Sequence, residues 1–179
     1  MRCGKEVEVS ELRKDPATDT WVIVDTERAT RVRLVRPSVH SKRKFDCPFC
    51  PGNEKLTPPE IRAYGFPGSN KGNAPWGVRV VPDKNPMLRV EGELVREGES
   101  GIYDRISATG AHEIVVCHPD HELDMADMPP EHLELVFQAV AERIRDLRRD
   151  VRLRYMMFYI NKGKKAGAAL DHSHLHVTA

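Results

Sequence analysis

The sequence predicts an α+β protein, a mainly antiparallel sheet with one long helix packed on it. Three observations predict it. Short β-branched and aromatic runs recur at residues 20–24, 77–81, 111–117, 154–160 and 172–178, each of strand length and bounded by Pro, Gly or polar residues. One stretch changes period: Leu133, Val136, Phe137, Val140, Ile144 and Leu147 recur at helical spacing. The chain of 179 residues fits one domain with a sizeable core, and neither an internal repeat nor a linker divides residues 1–179.

Each element has its own reason. "TWVIV" (20–24) is β-branched and aromatic. Residues 25–77 are rich in Pro, Gly, Asn and charge and are expected to be mostly irregular. "GVRVV" (77–81) is a strand stopped by Pro82. "MLRVEGELVREG" (87–98) alternates on both sides of Glu91-Gly92 and reads as a hairpin. "AHEIVVC" (111–117) is a strand. The helix follows, about five turns long, with Pro129 and Pro130 in its first turn and Asp127 as its cap. "RYMMFYI" (154–160) reads as a buried strand, "NKGKKAGAAL" (161–170) as a Gly- and Lys-rich loop, and "HSHLHVT" (172–178) as the last strand.

The formal net charge is +1, so no global field argues for nucleic acid or an anionic membrane. Basic residues cluster locally at 28–44 and 162–165, a pattern suited to a small anion. No apolar run approaches the roughly 18 residues of a membrane span, and the charged start "MRCGKEVEVSEL" is unlike a signal peptide. The expected location is cytoplasmic, where thiols stay reduced. Cys117 then reads as a small buried hydrophobe in "EIVVC". Cys47 and Cys50 form a C-x-x-C pair. A thioredoxin-like pair should open a helix, but Pro51-Gly52-Asn53 follows. A tight turn that aims two thiolates at one zinc ion fits better. Histidines must complete four ligands, and the pattern alone leaves His40, His112, His118, His121, His132, His172, His174 and His176 as candidates, with His132 expected to be exposed on the helix.

"DHSHLHVTA" (171–179) places three histidines at every second position. In a strand, His172, His174 and His176 project from one side, about 7 Å apart in successive Cα positions, while Leu175 and Val177 turn to the core. The competing reading is a polar strand face with structural histidines. The loop ahead of the row favours chemistry. Asn161-Lys162-Gly163 and Gly167-Ala168-Ala169 lack bulk, so backbone N–H groups can approach a phosphate. A neutral imidazole beside a phosphate can act as a nucleophile, giving a phosphoramidate and splitting one transfer into two displacements.

Five stretches in order, "LRKDPATDTWVIVDTERATR", "CPFCPGNE", "VRVVPDKNPML", "HEIVVCHPDHELDMADM" and "NKGKKAGAALDHSHLH", resemble the galactose-1-phosphate uridylyltransferase family, a branch of the histidine-triad superfamily. The resemblance implies a histidine-triad-like domain with a zinc-stabilised irregular N-terminal region. Cys47, Cys50, His121 and His172 would bind structural Zn2+. His174 would attack the α-phosphorus of UDP-glucose or another nucleotide sugar, release a hexose 1-phosphate, and pass the nucleotidyl group to a second one, as in galactose metabolism. Arg28 and Arg31 would lie near the phosphates, Asp83 in the nucleotide-base segment, and Asn161 and Gly167 against the nucleophile or phosphate. His176 stands where a Gln commonly holds the transferred phosphoryl group, Asp83 where an Asn is common, and Ala169 where a hydroxyl residue is common. H-x-H-x-H is instead the pattern of nucleotide hydrolases and some phosphorylases, so that reading stays beside the transferase one, as does a non-catalytic nucleotide-binding half. Family members are typically about twice this length, so the chain corresponds to an N-terminal half with the second half absent, expected to work as a homodimer or with a complementary C-terminal half.

Overall fold

The computed structural model describes residues 10–25, 47–65, 76–99 and 103–179. The chain divides into two compact units, residues 1–36 with 87–110 and residues 37–86 with 111–179.

The first unit carries a four-stranded antiparallel sheet in the order β2-β1-β6-β5, from β1 (Glu11–Lys14), β2 (Trp21–Val24), β5 (Arg96–Glu99) and β6 (Tyr103–Ser107). β1 and β2 form a hairpin. Asp15 closes its turn by accepting the Ala17 N–H at 2.9 Å and the Thr18 hydroxyl at 2.8 Å, a side-chain mimic of a backbone turn. The hairpin expected over 87–98 is displaced. Its alternating apolar residues Val90, Leu94 and Val95 are exposed, and the pairing forms one step later, between β5 and β6. Charge selects that register: Glu97 sits opposite Arg105 and pairs with it, and Arg96 reaches Asp104. Opposite charges facing each other stabilise a ladder, whereas the apolar side chains of Val90, Leu94 and Val95 are left exposed.

The second unit carries a five-stranded antiparallel sheet, order β3-β4-β7-β9-β8, from β3 (Arg62–Tyr64), β4 (Val78–Pro82), β7 (His112–Val116), β8 (Met157–Tyr159) and β9 (His174–Thr178), with one helix, α1 (Pro130–Leu147). β3 lies within the stretch expected to be irregular; three residues are too few for an alternation to stand out. The strand period divides the sheet into two faces. Val78, Val80, Val115, Leu175 and Val177 pack with Val136, Ala139 and Val140 of α1. Val81, Ile114 and Val116, on the other face, pack with Cys47, Phe49, Cys50 and Trp76. Cys117 is fully buried in the helix-side core, as expected of a small hydrophobe, and burial pushes its thiol up to about 12.

Two ties dock α1. Glu113 and Arg143 form a two-pronged pair at 2.7 and 2.8 Å, both largely buried. The Tyr64 hydroxyl donates to Glu142 at 2.8 Å. Three details differ from the sequence reading. Asp127 is no cap: Pro129 occupies that position without a side-chain bond, and Asp127 ends the preceding turn, Met125–Asp127. Pro130 at the first helical position removes an N–H that would need a partner. β8 is not buried: it is the sheet's edge, with Met157 44% and Phe158 46% exposed. His132 is not exposed: it is 5% accessible, and its Nε2–H donates to the Cys117 carbonyl at 2.6 Å. Among the described residues, no helix is long and apolar enough to cross a membrane.

Removing one partner of a buried ion pair strands the other charge. Glu113→Ala is therefore expected to destabilise the protein by about 3 kcal/mol. The joint change Glu113→Leu with Arg143→Met should recover most of that in urea denaturation.

Candidate functional site

The turn after Cys47 is tight because its polar groups are used locally. The Cys50 N–H donates to the Cys47 carbonyl at 3.2 Å, and the Asn53 side-chain amide donates to the same oxygen at 2.8 Å. Gly52 takes φ +90°, a conformation glycine adopts without strain. No long helix starts at the pair; a short turn, Glu54–Leu56, follows. Both thiols are buried and converge on two imidazoles. Cys50 Sγ lies 3.3 Å from His121 Nδ1 and 3.6 Å from His172 Nδ1; Cys47 Sγ lies 3.7 Å from His172 Nδ1. The four donor atoms all fall within 4.8 Å of one another. A tetrahedral ion with bonds of about 2.3 Å to sulfur and about 2.0 Å to nitrogen has S···N edges of roughly 3.5 Å, so this set can hold a metal. The His172 Nε2–H donates to the His118 carbonyl at 2.6 Å, which leaves Nδ1 with its lone pair toward the sulfurs. Burial pushes His172 down to about 4.

His172 precedes β9 and turns into this cluster, so the row does not project as three equivalent side chains. His174 begins the strand, opposite Val116, and His176 sits opposite Ile114. The Phe49 ring lies 6.1 Å from that of His172 and 5.2 Å from that of His174. His174 is 6% accessible, and burial lowers its pKa. Its Nδ1–H donates to the His172 carbonyl at 2.7 Å. A carbonyl only accepts, so Nε2 carries the lone pair. A neutral imidazole with an unprotonated Nε2 is a competent nucleophile. A cavity of about 250 Å³ lies beside it, lined among others by His121, Asn161, Lys162, Gly163, Leu170 and His174.

The structure brings Asn161 and His174 together at this cavity, with two of the four cluster donors, His121 and His172. Gly167 (φ +76°) turns the same loop but is not among the cavity-lining residues. Lys162 pairs with Asp124, which offsets part of its charge. Arg28, Arg31 and His40 lie outside the described residues. Asp83 and His176 meet elsewhere on the same sheet face, at His112. The sequence reading weighed His112 only as a zinc candidate and passed over Phe49 and Tyr159. Tyr159 is opposite His176 in the ladder and stacks on it at 4.8 Å and 10°. Register alone would have found it.

The site-bearing unit is thus an α+β domain: a two-faced antiparallel sheet with the helix on one side and, on the other, a buried cluster of two cysteines and two histidines beside the buried His174 imidazole. Comparison with known proteins gives the family. Residues 3–178 match the family model "Galactose-1-phosphate uridyl transferase, N-terminal domain", and the chain belongs to that family. It is 30% identical to ADP-glucose phosphorylase of Arabidopsis thaliana over 94% of its own length and 48% of that protein's. It is 32% identical to galactose-1-phosphate uridylyltransferase of Thermotoga maritima over 92% and 44%. Among solved structures it resembles a uridylyltransferase (TM-score 0.63, 27% identity, 94% of this chain and 45% of that one). It also resembles the Arabidopsis thaliana ADP-glucose phosphorylase with bound ADP-glucose (TM-score 0.57, 28% identity, 94% and 48%). The chain spans about half the length of these relatives.

Because the metal-free folded protein holds His172 neutral, the unfolded chain binds more protons than the metal-free fold between the ordinary value of 6.5 and about 4. Stability should therefore be full above that window and fall as the pH drops through it. Thermal melts from pH 7.5 to 4.5 check this, and His172→Gln should show a shallower pH slope.

Proposed function

We propose that this chain is the nucleophile-bearing half of a nucleotidyltransferase of the UDP-glucose–hexose-1-phosphate uridylyltransferase type, residues 1–179 serving as one histidine-triad-like domain. The observation that supports it is the His174 tautomer: Nδ1–H bonded to the His172 carbonyl, Nε2 unprotonated, beside a cavity edged by Asn161 and Gly163. His174 Nε2 attacks the α-phosphorus of the nucleotide sugar. The N–P bond forms as the bond to the sugar-phosphate oxygen breaks, and hexose 1-phosphate leaves with the electron pair. A second hexose 1-phosphate then attacks phosphorus through its own oxygen, and the N–P bond breaks. Asn161 and the glycine loop orient phosphate oxygens, and Arg28 and Arg31 contribute positive charge. Cys47, Cys50, His121 and His172 hold Zn2+, which supplies structural anchorage. Because His174 follows two residues after His172, that anchorage fixes the nucleophile before substrate arrives. The whole enzyme requires a homodimer or a complementary C-terminal half. It works in the cytoplasm on small molecules, without nucleic acid or membrane.

A phosphorylase of ADP-sugar type is the second reading. It is favoured by the likeness to an ADP-glucose phosphorylase and by the imidazole at position 176. Both readings share the first displacement and differ in the acceptor.

Incubation with UDP-glucose or ADP-glucose labelled at the α-phosphorus, quenched in base, should leave one label on His174. His174→Asn should lower labelling by ~10³-fold or more. Chase by hexose 1-phosphate supports the transferase, and chase by inorganic phosphate supports the phosphorylase. No label from either nucleotide overturns both. Metal analysis should find one zinc per chain, lost in Cys50→Ser.

A further inference from the structure

Asp83, His112 and His176 form a second cluster on the sheet face that carries His174. The strand register makes it. His176 is opposite Ile114 and His112 is opposite Thr178, so His112 and His176 are diagonal neighbours on one face. His112 Nε2 lies 3.0 Å from His176 Nδ1 and 3.4 Å from Asp83 Oδ2. The His112 side chain is fully buried. Asp83 is held from both sides of its residue: its N–H donates to the His112 carbonyl at 2.9 Å, and its Oδ1 accepts the Asn85 N–H at 2.8 Å.

Two neutral imidazoles that share one hydrogen bond have one proton between the facing nitrogens, and two arrangements compete. If the proton is on His176 Nδ1, His176 Nε2 is an acceptor. If it is on His112 Nε2, His176 Nδ1 accepts and His176 Nε2 carries a hydrogen. Asp83 decides between them. A carboxylate is acceptor-only, so Oδ2 beside His112 Nε2 attracts the proton to that nitrogen. The His176 ring is also held in plane, by Tyr159 stacked on it, and its centroid lies 5.2 Å from that of His174.

We propose that His112 is a positioning residue, oriented by Asp83, that fixes His176 as the Nε2–H tautomer. His176 thereby becomes a neutral hydrogen-bond donor toward the phosphoryl group carried by His174. The inference rests on the reading of His174 as the nucleophile. It also explains how an imidazole can stand where the family pattern commonly has a Gln: a fixed Nε2–H offers what an amide N–H offers. Asp83 and His176, two of the positions where this chain departs from that pattern, meet at the residue that makes them work together. No proton is transferred; the donor is set before the phosphorus is attacked, which is the condition for electrostatic stabilisation without reorganisation.

The test has two independent readouts. Long-range 1H–15N correlation on the 15N-histidine-labelled chain reads each ring's tautomer without substrate. His176 is expected as Nε2–H with an unprotonated Nδ1. A His176 protonated at Nδ1, or averaging both forms, overturns the proposal. The second readout is the single-turnover rate of adduct formation on His174. His112→Leu should lower the saturated rate about 10- to 100-fold, with the half-saturating nucleotide concentration held within about threefold. His112→Gln, whose amide can still donate to His176 Nδ1, should restore most of the rate. In a His176→Gln background, His112→Leu should cost less than about threefold, because an amide donor needs no partner to choose its tautomer. An equal cost in both backgrounds would mean a merely structural role and overturn the idea. So would a second tightly bound divalent ion per chain that is lost in His112→Leu. If the wild-type chain forms no adduct, the nucleophile reading fails, and the tautomer measurement still stands or falls alone.

Discussion

The ladder between His112–Val116 and His174–Thr178 fixes what every side chain near the cavity can do. Strand period sends Leu175 and Val177 into the core under the helix and His174 and His176 to the opposite face. A one-residue slip would exchange the two sets. The slip is opposed twice over. It would put imidazoles among Val136, Ala139 and Val140, and it would withdraw Leu175 and Val177 from that core. The same pairing brings Glu113 to the helix side, where Arg143 meets it.

The cluster at Cys47, Cys50, His121 and His172 draws on three stretches far apart in sequence, and its geometry is coupled to the ladder at one point. His172 uses both ends of its residue. Its ring faces the thiols and the His118 carbonyl, and its own carbonyl accepts the His174 Nδ1–H. Ordering the cluster therefore orders the neighbouring imidazole and its tautomer. The helix side contributes less directly: His132 holds the Cys117 carbonyl at the end of β7, close to the turn that delivers His118 and His121.

Three histidines at alternate positions look equivalent in the sequence and are not equivalent in the fold. Each ring's hydrogen-bond partner assigns its role. His172 gives its Nε2–H to a carbonyl and offers Nδ1 to the sulfurs; His174 gives Nδ1–H to a carbonyl and keeps Nε2 unprotonated; His176 faces a fourth histidine, His112. Main-chain carbonyls set two of these tautomers, and no side-chain pattern reports where a carbonyl will be.

Much was determined by the sequence by itself. The helix of α1, the strands of β2, β4, β7 and β9, the burial of Cys117 and the turn at the C-x-x-C pair follow from period, branching and turn chemistry, which are local. Ordered motifs placed the chain in its family. What only the tertiary structure decided is non-local. The sheet order made β8 an exposed edge although "RYMMFYI" reads as core. Cross-strand charge moved the hairpin to 96–107. Packing buried His132, which the helical pattern alone left on the polar side. The family resemblance had already named His121 and His172 among eight histidines, but their convergence on Cys47 and Cys50, and the meeting of Asp83, His112 and His176, required segments distant in sequence to lie side by side. Hydrogen bonds act over about 3 Å, and only the folded chain says which groups come that close.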